Sequence, residues 1–149
     1  MCKLTKRLKK GEKRVGYKVC LMHEEIGEFY SVAMGFRYRS GKKVPTPKRQ
    51  IRICTFFNKD LHIEDYAAGY ASDMVGRTAV FSNRCCAENK AGIIDRDVFK
   101  EWTKIEDGYK ICVVMAEVSC SVMRGFYGSS QVYAGRIITF LPDVYLRVL

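Results

Sequence analysis

Apolar runs and alternating positions along the chain indicate a protein built mainly from β-strands. Residues 16–22 alternate between apolar and polar side chains, as a half-buried strand does. Residues 28–32 repeat that pattern after a turn through residues 23–27, so the two segments are expected to form a β-hairpin. Residues 109–118 are the most apolar stretch, which predicts a strand in the centre of the sheet.

The rest of the pattern adds further strands and a few helices. Strands are predicted at residues 36–39, 49–57, 78–81, 122–127 and 136–141, followed by a short tail at 144–149. Helices are predicted at residues 61–74 with Asn58 or Asp60 as N-cap, at 83–91 with Ser82 as N-cap, and from Asp95 or Asp97 to Ile105. We therefore expect an α+β fold, in which a mainly antiparallel twisted sheet of six or seven strands is backed by two or three helices.

Length and composition fit one folded domain preceded by a basic arm. The chain has 149 residues, 48% of them hydrophobic, with only three prolines, which excludes a low-complexity or disordered chain. Residues 1–14 hold seven basic side chains and one acidic side chain. Leu4 and Leu8 have helical spacing, but one such pair cannot anchor a stable helix. Residues 1–14 are therefore expected to be a flexible or partly helical arm, and residues 15–149 a single α+β domain.

The positive charge is concentrated in the first third of the chain. The protein carries a formal net charge of +10. Residues 1–52 contain 15 basic and 4 acidic side chains, a net of +11, so the remaining residues are close to neutral at −1. This asymmetry favours a localised contact with an anionic partner over a uniformly basic coat. A solubilising surface with a basic tail is the alternative.

Basic residues interleaved with an aromatic residue form the first candidate site. On a strand, Arg37 and Arg39 share one face and Tyr38 takes the other, where it could belong to the core. Arginine suits phosphate recognition because its planar fork of donors matches the phosphate oxygens. The basic residues expected to contact an anionic partner here are Arg37, Arg39, Lys42, Lys43, Lys48, Arg49 and Arg52.

A glycine-rich segment forms the second candidate site. Arg124-Gly125-Phe126 resembles the opening of the RNP1 pattern of RNA-recognition domains, although Tyr127-Gly128 departs from it. A glycine-rich loop with hydroxyl groups can also hold phosphate through its backbone N–H groups. We therefore add Arg124, Tyr127 and Arg136 to the predicted partner-binding residues. The alternative is a plain hairpin loop between two strands.

Enzyme and metal-site motifs are missing from the sequence. His62-x-Glu64 has the spacing found in zinc deaminases, but Cys85-Cys86 lacks the preceding proline and the two-residue gap that zinc ligation requires. Neither a dinucleotide-binding nor a P-loop glycine pattern occurs. No catalytic residue, metal or cofactor is therefore predicted.

The cysteines predict a reducing compartment. There are seven, an odd number without a C-x-x-C motif, and Cys20, Cys54, Cys112 and Cys120 lie in apolar, strand-like surroundings. No secretory signal pattern opens the chain and no run approaches the ~18 apolar residues of a membrane span. We therefore expect a cytoplasmic protein with free thiols that makes no contact with a membrane.

Short aromatic and glycine strings resemble small domains encoded by bacteriophages and prophages. The segments that resemble the start of these domains are Gly16-Tyr17-Lys18-Val19, Phe29-Tyr30-Ser31, Gly35-Phe36-Arg37-Tyr38 and Gly41, and Val132-Tyr133-Ala134-Gly135-Arg136-Ile137 resembles their closing strand. The resemblance spans about residues 16–141 and brings no catalytic residues with it. It implies an origin in a phage or mobile element, where small proteins bind and inhibit host machinery, including nucleic-acid-directed defence.

Together these observations predict a non-enzymatic, phage-type binding protein. Its basic N-terminal third would contact a host protein, a protein–nucleic acid complex, or a nucleic acid or nucleotide directly. Inhibition of a host defence nuclease, in the manner of an anti-CRISPR protein, is the expected outcome. The alternative is a small enzyme or sequestering protein acting on a nucleotide or nucleic acid, with tyrosine, serine and arginine side chains near residues 125–136.

Overall fold

The computed structural model describes residues 2–23, 28–31, 37–44, 52–54, 59–61, 74, 76–93 and 109–148. Twelve strands and one helix lie within these ranges. The strands are β1 (Cys2–Arg7), β2 (Arg14–His23), β3 (Phe29–Tyr30), β4 (Arg37–Tyr38), β5 (Lys42–Lys43), β6 (Arg52–Cys54), β7 (Lys59–Leu61), β8 (Thr78–Phe81), β9 (Tyr109–Ser119), β10 (Met123–Tyr127), β11 (Ser130–Gly135) and β12 (Ile137–Val148). The helix, α1, is Arg84–Ile93.

Ten of these strands form one antiparallel sheet. Its main order is β1-β10-β11-β8-β2-β9-β12-β5, with β3 paired to β2 and β4 paired to β3. β6 and β7 pair separately. Because a turn at Ser40 and Gly41 joins β4 to β5, the path from β2 through β3, β4, β5, β12 and β9 leads back to β2. The sheet therefore curls over one of its own faces.

The two longest apolar segments pair in the middle of the sheet. β2 and β9 run antiparallel along their whole length, from Arg14 opposite Val118 to His23 opposite Tyr109. Successive side chains point to opposite faces of a strand, and both faces are covered at residues 19–22 and 111–114, so these two segments read as continuous apolar runs. Burial of one large aliphatic side chain in this position stabilises the fold by about 1.5–3 kcal/mol.

The curled sheet encloses one core, on the face that carries Cys20 and Cys112. The rings of Phe29 and Phe140 stack with centroids 4.4 Å apart, and Tyr38 meets Phe140 edge-on at 5.9 Å. The Tyr38 hydroxyl shares a hydrogen bond of 3.1 Å with the Thr78 hydroxyl. These contacts fix the β4–β5 segment over the inner face of the central strands.

Helix α1 covers the opposite face. Ala87 and Ala91 are fully buried against Val19, Leu21 and the neighbouring β-strands. The Asn83 side-chain oxygen accepts hydrogen bonds from the backbone N–H groups of Cys85 and Cys86, at 2.8 and 3.4 Å. Asn83, and not Ser82, is therefore the N-cap, because its carbonyl oxygen reaches the unpaired donors of the first turn.

The expected α+β class is wrong. The described residues form a mostly antiparallel β-structure with a ten-stranded sheet and a single helix, where six or seven strands backed by two or three helices were predicted. The physical reason is that the sheet covers one of its own faces by curling, so that face needs no helices. The predicted helix near residues 95–105 lies outside the described residues.

The expected secondary structure at both ends of the chain is also wrong. Cys2–Arg7 is an edge strand on β10, where a flexible or partly helical arm was expected. Residues 144–148 belong to β12, where a tail was expected, since the register shifts after Phe140 and pairing with β9 resumes at Tyr145. An irregularity of this kind accommodates Pro142, which has no N–H group to donate to the ladder.

The helix predicted at residues 61–74 does not begin where expected. Asp60 and Leu61 lie in β7 and pair with Ile53 and Arg52 of β6. Of the other residues predicted to be in this helix, Met74 alone is described, and it is buried. The strands predicted at residues 16–22, 78–81, 109–118 and 122–127 are confirmed, as is the hairpin between β2 and β3.

Candidate functional site

Four neighbouring strands at one side of the sheet carry basic side chains and no acidic ones. β1, β10, β11 and β8 are adjacent in that order, and none contains an aspartate or a glutamate. Their basic residues are Lys3, Lys6, Arg7 and Arg124. The charge that these four strands contribute is therefore positive, and none of the four strands carries a carboxylate to offset it.

The register of β1 on β10 places two lysines on one face of the sheet. Lys3 lies opposite Phe126, and Lys6 lies opposite Arg124, because the register shifts between Leu4 and Lys6. The Thr5 hydroxyl donates a hydrogen bond of 3.2 Å to the Arg124 carbonyl at this irregularity. Directly opposite residues share a face, so this face presents both lysines beside Phe126 and Arg124.

The same face continues across β11. Arg124 lies opposite Tyr133 and Phe126 lies opposite Gln131. We call the face formed by Lys3, Lys6, Arg124, Phe126, Gln131 and Tyr133 the edge surface. It contains three cations and two aromatic rings on three consecutive strands.

Cation–π contacts organise the inner part of the edge surface. The guanidinium carbons of Arg124 and Arg14 lie 5.8 and 5.7 Å from the centre of the Tyr133 ring. The Nε atom of Arg124 is buried and has no hydrogen-bond partner. Arg14 also forms a salt bridge of 2.9 Å with Glu12, which offsets part of its charge. By contrast, no described carboxylate offsets the charge of the Arg124 guanidinium.

Phe126 is an exposed aromatic residue on the edge surface. Its relative exposure is 43%, and Val15 and Ile93 are the other large apolar side chains of the described residues that are exposed. The preceding residue, Gly125, lets β1 and β10 approach closely, since a Cβ atom there would lie 2.9 Å from the Leu4 Cα atom and closer still to the Lys3 carbonyl oxygen. Strand β1 therefore docks against a glycine and leaves the neighbouring phenyl ring open to solvent.

A second basic surface lies at the other side of the sheet, around β5. Lys43 pairs with Ile137, and the Val44 N–H donates to the Arg136 carbonyl at 2.7 Å. Lys42, Lys43 and Arg136 are exposed, as is Arg39 at the end of β4. We call these four residues the hairpin surface. It has no exposed large aromatic side chain among the described residues.

Two further predicted site residues have other contacts. Arg37 donates a hydrogen bond of 2.8 Å to the Glu28 carboxylate. Tyr127 lies on the opposite face of β10 from Phe126, where its ring meets Phe81 edge-on at 6.0 Å. The Lys90 ammonium donates to the Tyr127 hydroxyl and lies 4.3 Å from the centre of its ring. Tyr127 thus connects α1 to the sheet.

The structure brings some of the predicted site residues together and separates others. Arg39, Lys42, Lys43 and Arg136 share the hairpin surface, whereas Arg124 lies on the edge surface. Lys48 and Arg49 lie outside the described residues, and Arg52 is described only by its place in β6. The segment between Tyr127 and Ser130 is a two-residue hairpin loop, as the alternative interpretation proposed.

The lysines of the edge surface were not among the predicted site residues. Lys3 and Lys6 were assigned to a basic arm because Leu4 and Leu8, one pair with helical spacing, cannot anchor a stable helix. The signal that would have found them is the alternation at the start of the chain, where Cys2 and Leu4 are half-buried and Lys3 is exposed. Tyr133 carries no signal of its own, since only pairing of β11 with β10 places it beside Arg124.

The thiols differ in accessibility. Cys20 and Cys112 are fully buried and lie opposite each other, with their sulfur atoms 3.6 Å apart. Burial, together with the hydrogen bond that the Cys20 thiol shares with the Cys112 sulfur, raises the pKa of the Cys20 thiol well above its ordinary value. Cys120 is exposed in the turn before β10, so the strand-like surroundings expected for it are wrong. The side chain of Cys54 lies outside the described part of the structure.

Within the described part of the chain, no three His, Cys, Asp or Glu side chains converge to hold a metal ion. No helix among these residues has both the length and the apolar character to cross a membrane. No protein-family model matches this chain, and no curated protein or solved structure matches it either.

Proposed function

We propose that this protein is a non-enzymatic binding protein whose partner is nucleic acid, held through the exposed basic side chains of its N-terminal third. The observation that carries the proposal is the number of cations there that make no ion pair with any residue the structure describes. Ten basic residues between positions 3 and 43 are exposed, and of these only Lys13 and Arg37 form a salt bridge within the described ranges.

Two acidic residues of this region, Glu12 and Glu28, lie in the described part of the chain, and both already form ion pairs. Glu12 pairs with Arg14 and Glu28 pairs with Arg37, each at 2.8–2.9 Å. The exposed cations that make no ion pair with a described residue are Lys3, Lys6, Arg7, Lys9, Lys10, Arg39, Lys42 and Lys43. A polyanion that displaces counterions from such a region gains affinity from their release.

A phage origin, inhibition of a host defence nuclease and a cytoplasmic location stay predictions, as does the alternative of a small enzyme acting on a nucleotide. A pull-down from cell extract, with and without nuclease digestion, separates two of these cases. A direct inhibitor of a host protein stays attached to that protein after digestion, whereas a nucleic-acid-binding protein releases proteins that it holds through nucleic acid.

The proposal is tested by the salt dependence of binding. Purified protein is titrated into a fluorescein-labelled oligonucleotide, either single-stranded or duplex, and the anisotropy is followed at several NaCl concentrations. If four or five phosphates are contacted, affinity should fall roughly a hundredfold or more between 50 and 200 mM salt. Absence of binding at 50 mM, or an affinity that does not change with salt, would contradict the proposal.

A matched pair of variants locates the charge. Lys3→Gln with Lys6→Gln removes two cations from β1 and should reduce the magnitude of the log–log salt slope by roughly 1.4–1.8, since each phosphate contact contributes about 0.7–0.9. Arg84→Gln removes an exposed cation from α1 that already pairs with Glu88. This control should leave the slope unchanged.

A further inference from the structure

We infer that the edge surface is a binding site for single-stranded nucleic acid, in which a base stacks on Phe126 while Lys3, Lys6 and Arg124 contact the adjacent phosphates. This inference rests on the proposed function and names its site and ligand class. It predicts selectivity for unpaired strands, which cation clusters alone do not provide, because only an unpaired base can present its face to an aromatic ring.

The geometry of three strands supports a stacking site. Phe126 points away from the α1 side of the sheet, and its ring is 43% exposed. Lys3 lies directly across from it on β1, and Arg124 lies two residues before it on the same face. Residues two apart on a strand are about 6.5–7 Å apart. A base on Phe126 would thus have a cation beside it on each of two strands.

The pairing of Lys6 with Arg124 favours an anionic occupant. Like charges directly opposite each other across two strands destabilise a sheet. The structure nevertheless places these two cations in register, and no carboxylate lies on β1, β10, β11 or β8. A phosphate between the Lys6 ammonium and the Arg124 guanidinium would remove the repulsion and form charge-assisted hydrogen bonds with both groups.

Arg124 is held ready for such a contact. Tyr133 lies opposite it and its ring lies 5.8 Å from the guanidinium carbon, so the ring fixes the side chain without using its donors. Arg14 approaches the same ring from β2 at 5.7 Å. Tyr133 therefore acts as a positioning residue. Its ring already contacts two guanidinium groups, whereas the Phe126 ring is exposed to solvent.

Protection of the sheet edge is the competing explanation for the lysines. Lysines and irregularities on an edge strand prevent unwanted pairing with other chains. Edge protection accounts for Lys3, Lys6 and the register shift at Thr5. It does not account for Phe126, because an exposed phenyl ring beside an edge strand promotes association. The phenyl ring is therefore the residue on which the two explanations differ.

The test compares single-stranded and duplex binding of three variants by anisotropy, with labelled oligo(dT) and a labelled duplex of equal length. Phe126→Ala should weaken oligo(dT) binding roughly 5- to 150-fold, the range measured for removal of one stacking platform, and should change duplex binding little. Phe126→Trp retains the platform and should keep the affinity. Ile93→Ala removes an apolar side chain of 38% exposure from α1 and should have no effect.

Phe126→Trp also reports stacking directly. Its indole emission should be quenched by oligo(dT) and not by the duplex, after subtraction of the signal of the wild-type protein, whose single tryptophan is Trp102. Quenching confined to the single strand supports the inference. Unchanged emission at saturating oligo(dT) overturns it, because the base would then lie elsewhere.

The outcomes separate the inference from the proposed function. Normal oligo(dT) binding by Phe126→Ala overturns the stacking site but leaves nucleic-acid binding intact. Absence of binding to both oligonucleotides overturns both. Displacement of oligo(dT) by poly-glutamate at equal charge concentration also overturns the inference, since the surface would then recognise charge alone. Circular dichroism of Phe126→Ala that matches the wild-type spectrum shows that the fold is retained.

Discussion

The central strands and the edge strands of this sheet differ in how much of each face is buried. In the middle of β2 and β9 both faces are buried, and Leu21, Cys20, Cys112 and Val113 are inaccessible to solvent. In β1 and β10 one face packs toward α1 and the other is open, so Lys3 and Phe126 are exposed beside half-buried Cys2 and Tyr127. The central pair, β2 and β9, stabilises the fold, whereas the exposed face of the edge strands β1 and β10 can bind a partner.

This difference explains where a binding site can arise. A polar substitution in the central pair leaves an unpaired polar group in an apolar core, which is costly. The open face of β10 can accept cations and an aromatic ring because water solvates them in the free protein.

The largest effect on stability is expected in the central pair. Leu21→Ala should lower the free energy of unfolding by about 2–5 kcal/mol, because the buried side chain leaves a cavity that its neighbours fill only partly. Leu4→Ala in β1 should cost less, since Leu4 is only half-buried and solvent reaches the site. Guanidinium denaturation measures both. Equal losses would contradict the distinction between the two regions.

Gly125→Ala should detach the edge from the rest of the sheet. The added Cβ would lie against the Lys3 carbonyl oxygen and the Leu4 Cα, so β1 must shift, at a cost of about 1–3 kcal/mol. Hydrogen exchange should show faster exchange of the β1 amides with β2 and β9 still protected. Gly92→Ala is the control, because nothing lies within 4 Å of its Cβ position and helix propensity improves. Unchanged β1 protection in Gly125→Ala would show that the close approach is absent.

The helix cap tests how firmly α1 covers the central pair. Asn83→Ala should lower the free energy of unfolding by about 1 kcal/mol, because the N–H groups of Cys85 and Cys86 lose their acceptor. Ser82→Ala should cost less, since the Ser82 hydroxyl makes only hydrogen bonds of 3.3 and 3.4 Å to Gln131. The reverse order in thermal denaturation would make Ser82 the cap, as the sequence predicted.

Thiol labelling should distinguish buried from exposed cysteines without changing the fold. Cys85 and Cys120 are exposed and should react with iodoacetamide, whereas Cys20 and Cys112 should react only after unfolding. Mass spectrometry of tryptic peptides reads each site. Modification of Cys20 in the native protein at the rate of Cys120 would contradict the burial of the central pair.

The free energy of unfolding should depend on pH through the Cys20 thiol. The pKa of Cys20 is raised in the folded protein, so the folded state holds that proton more tightly than the unfolded state. This contribution to stability is fully present below the ordinary thiol value of 9.0 and is lost as pH rises toward the folded pKa. Cys20→Ala should lessen the fall in stability above that pH, whereas Cys120→Ala should not.

The sequence predicts the central region better than the edge, for a physical reason. β2, β8, β9 and β10 were predicted from alternation or continuous apolar runs, which reflect burial of each strand. β1 was missed because its alternation covers only a few residues among lysines. The site on β1, β10 and β11 depends on pairing between segments about 120 residues apart, and register of this kind leaves no local pattern.

The predicted site residues show the same limit. Arg39, Lys42 and Lys43 are close in the sequence and were found together, since one turn with a hydrogen bond from the Lys42 N–H to the Arg39 carbonyl keeps them adjacent. Lys6 and Arg124 are distant in the sequence and become neighbours only through the sheet. Phe126 was noticed for its glycine neighbour, but its exposure follows from the face that β1 and α1 leave open.

The most direct measurement of the central claim is a hydrogen-exchange footprint of the protein with and without oligo(dT) at low salt. Binding at the edge surface should slow exchange in residues 2–7 and 123–134, with little change in the already protected β2 and β9. Slower exchange confined to residues 37–44, or none at saturating oligo(dT), would contradict it.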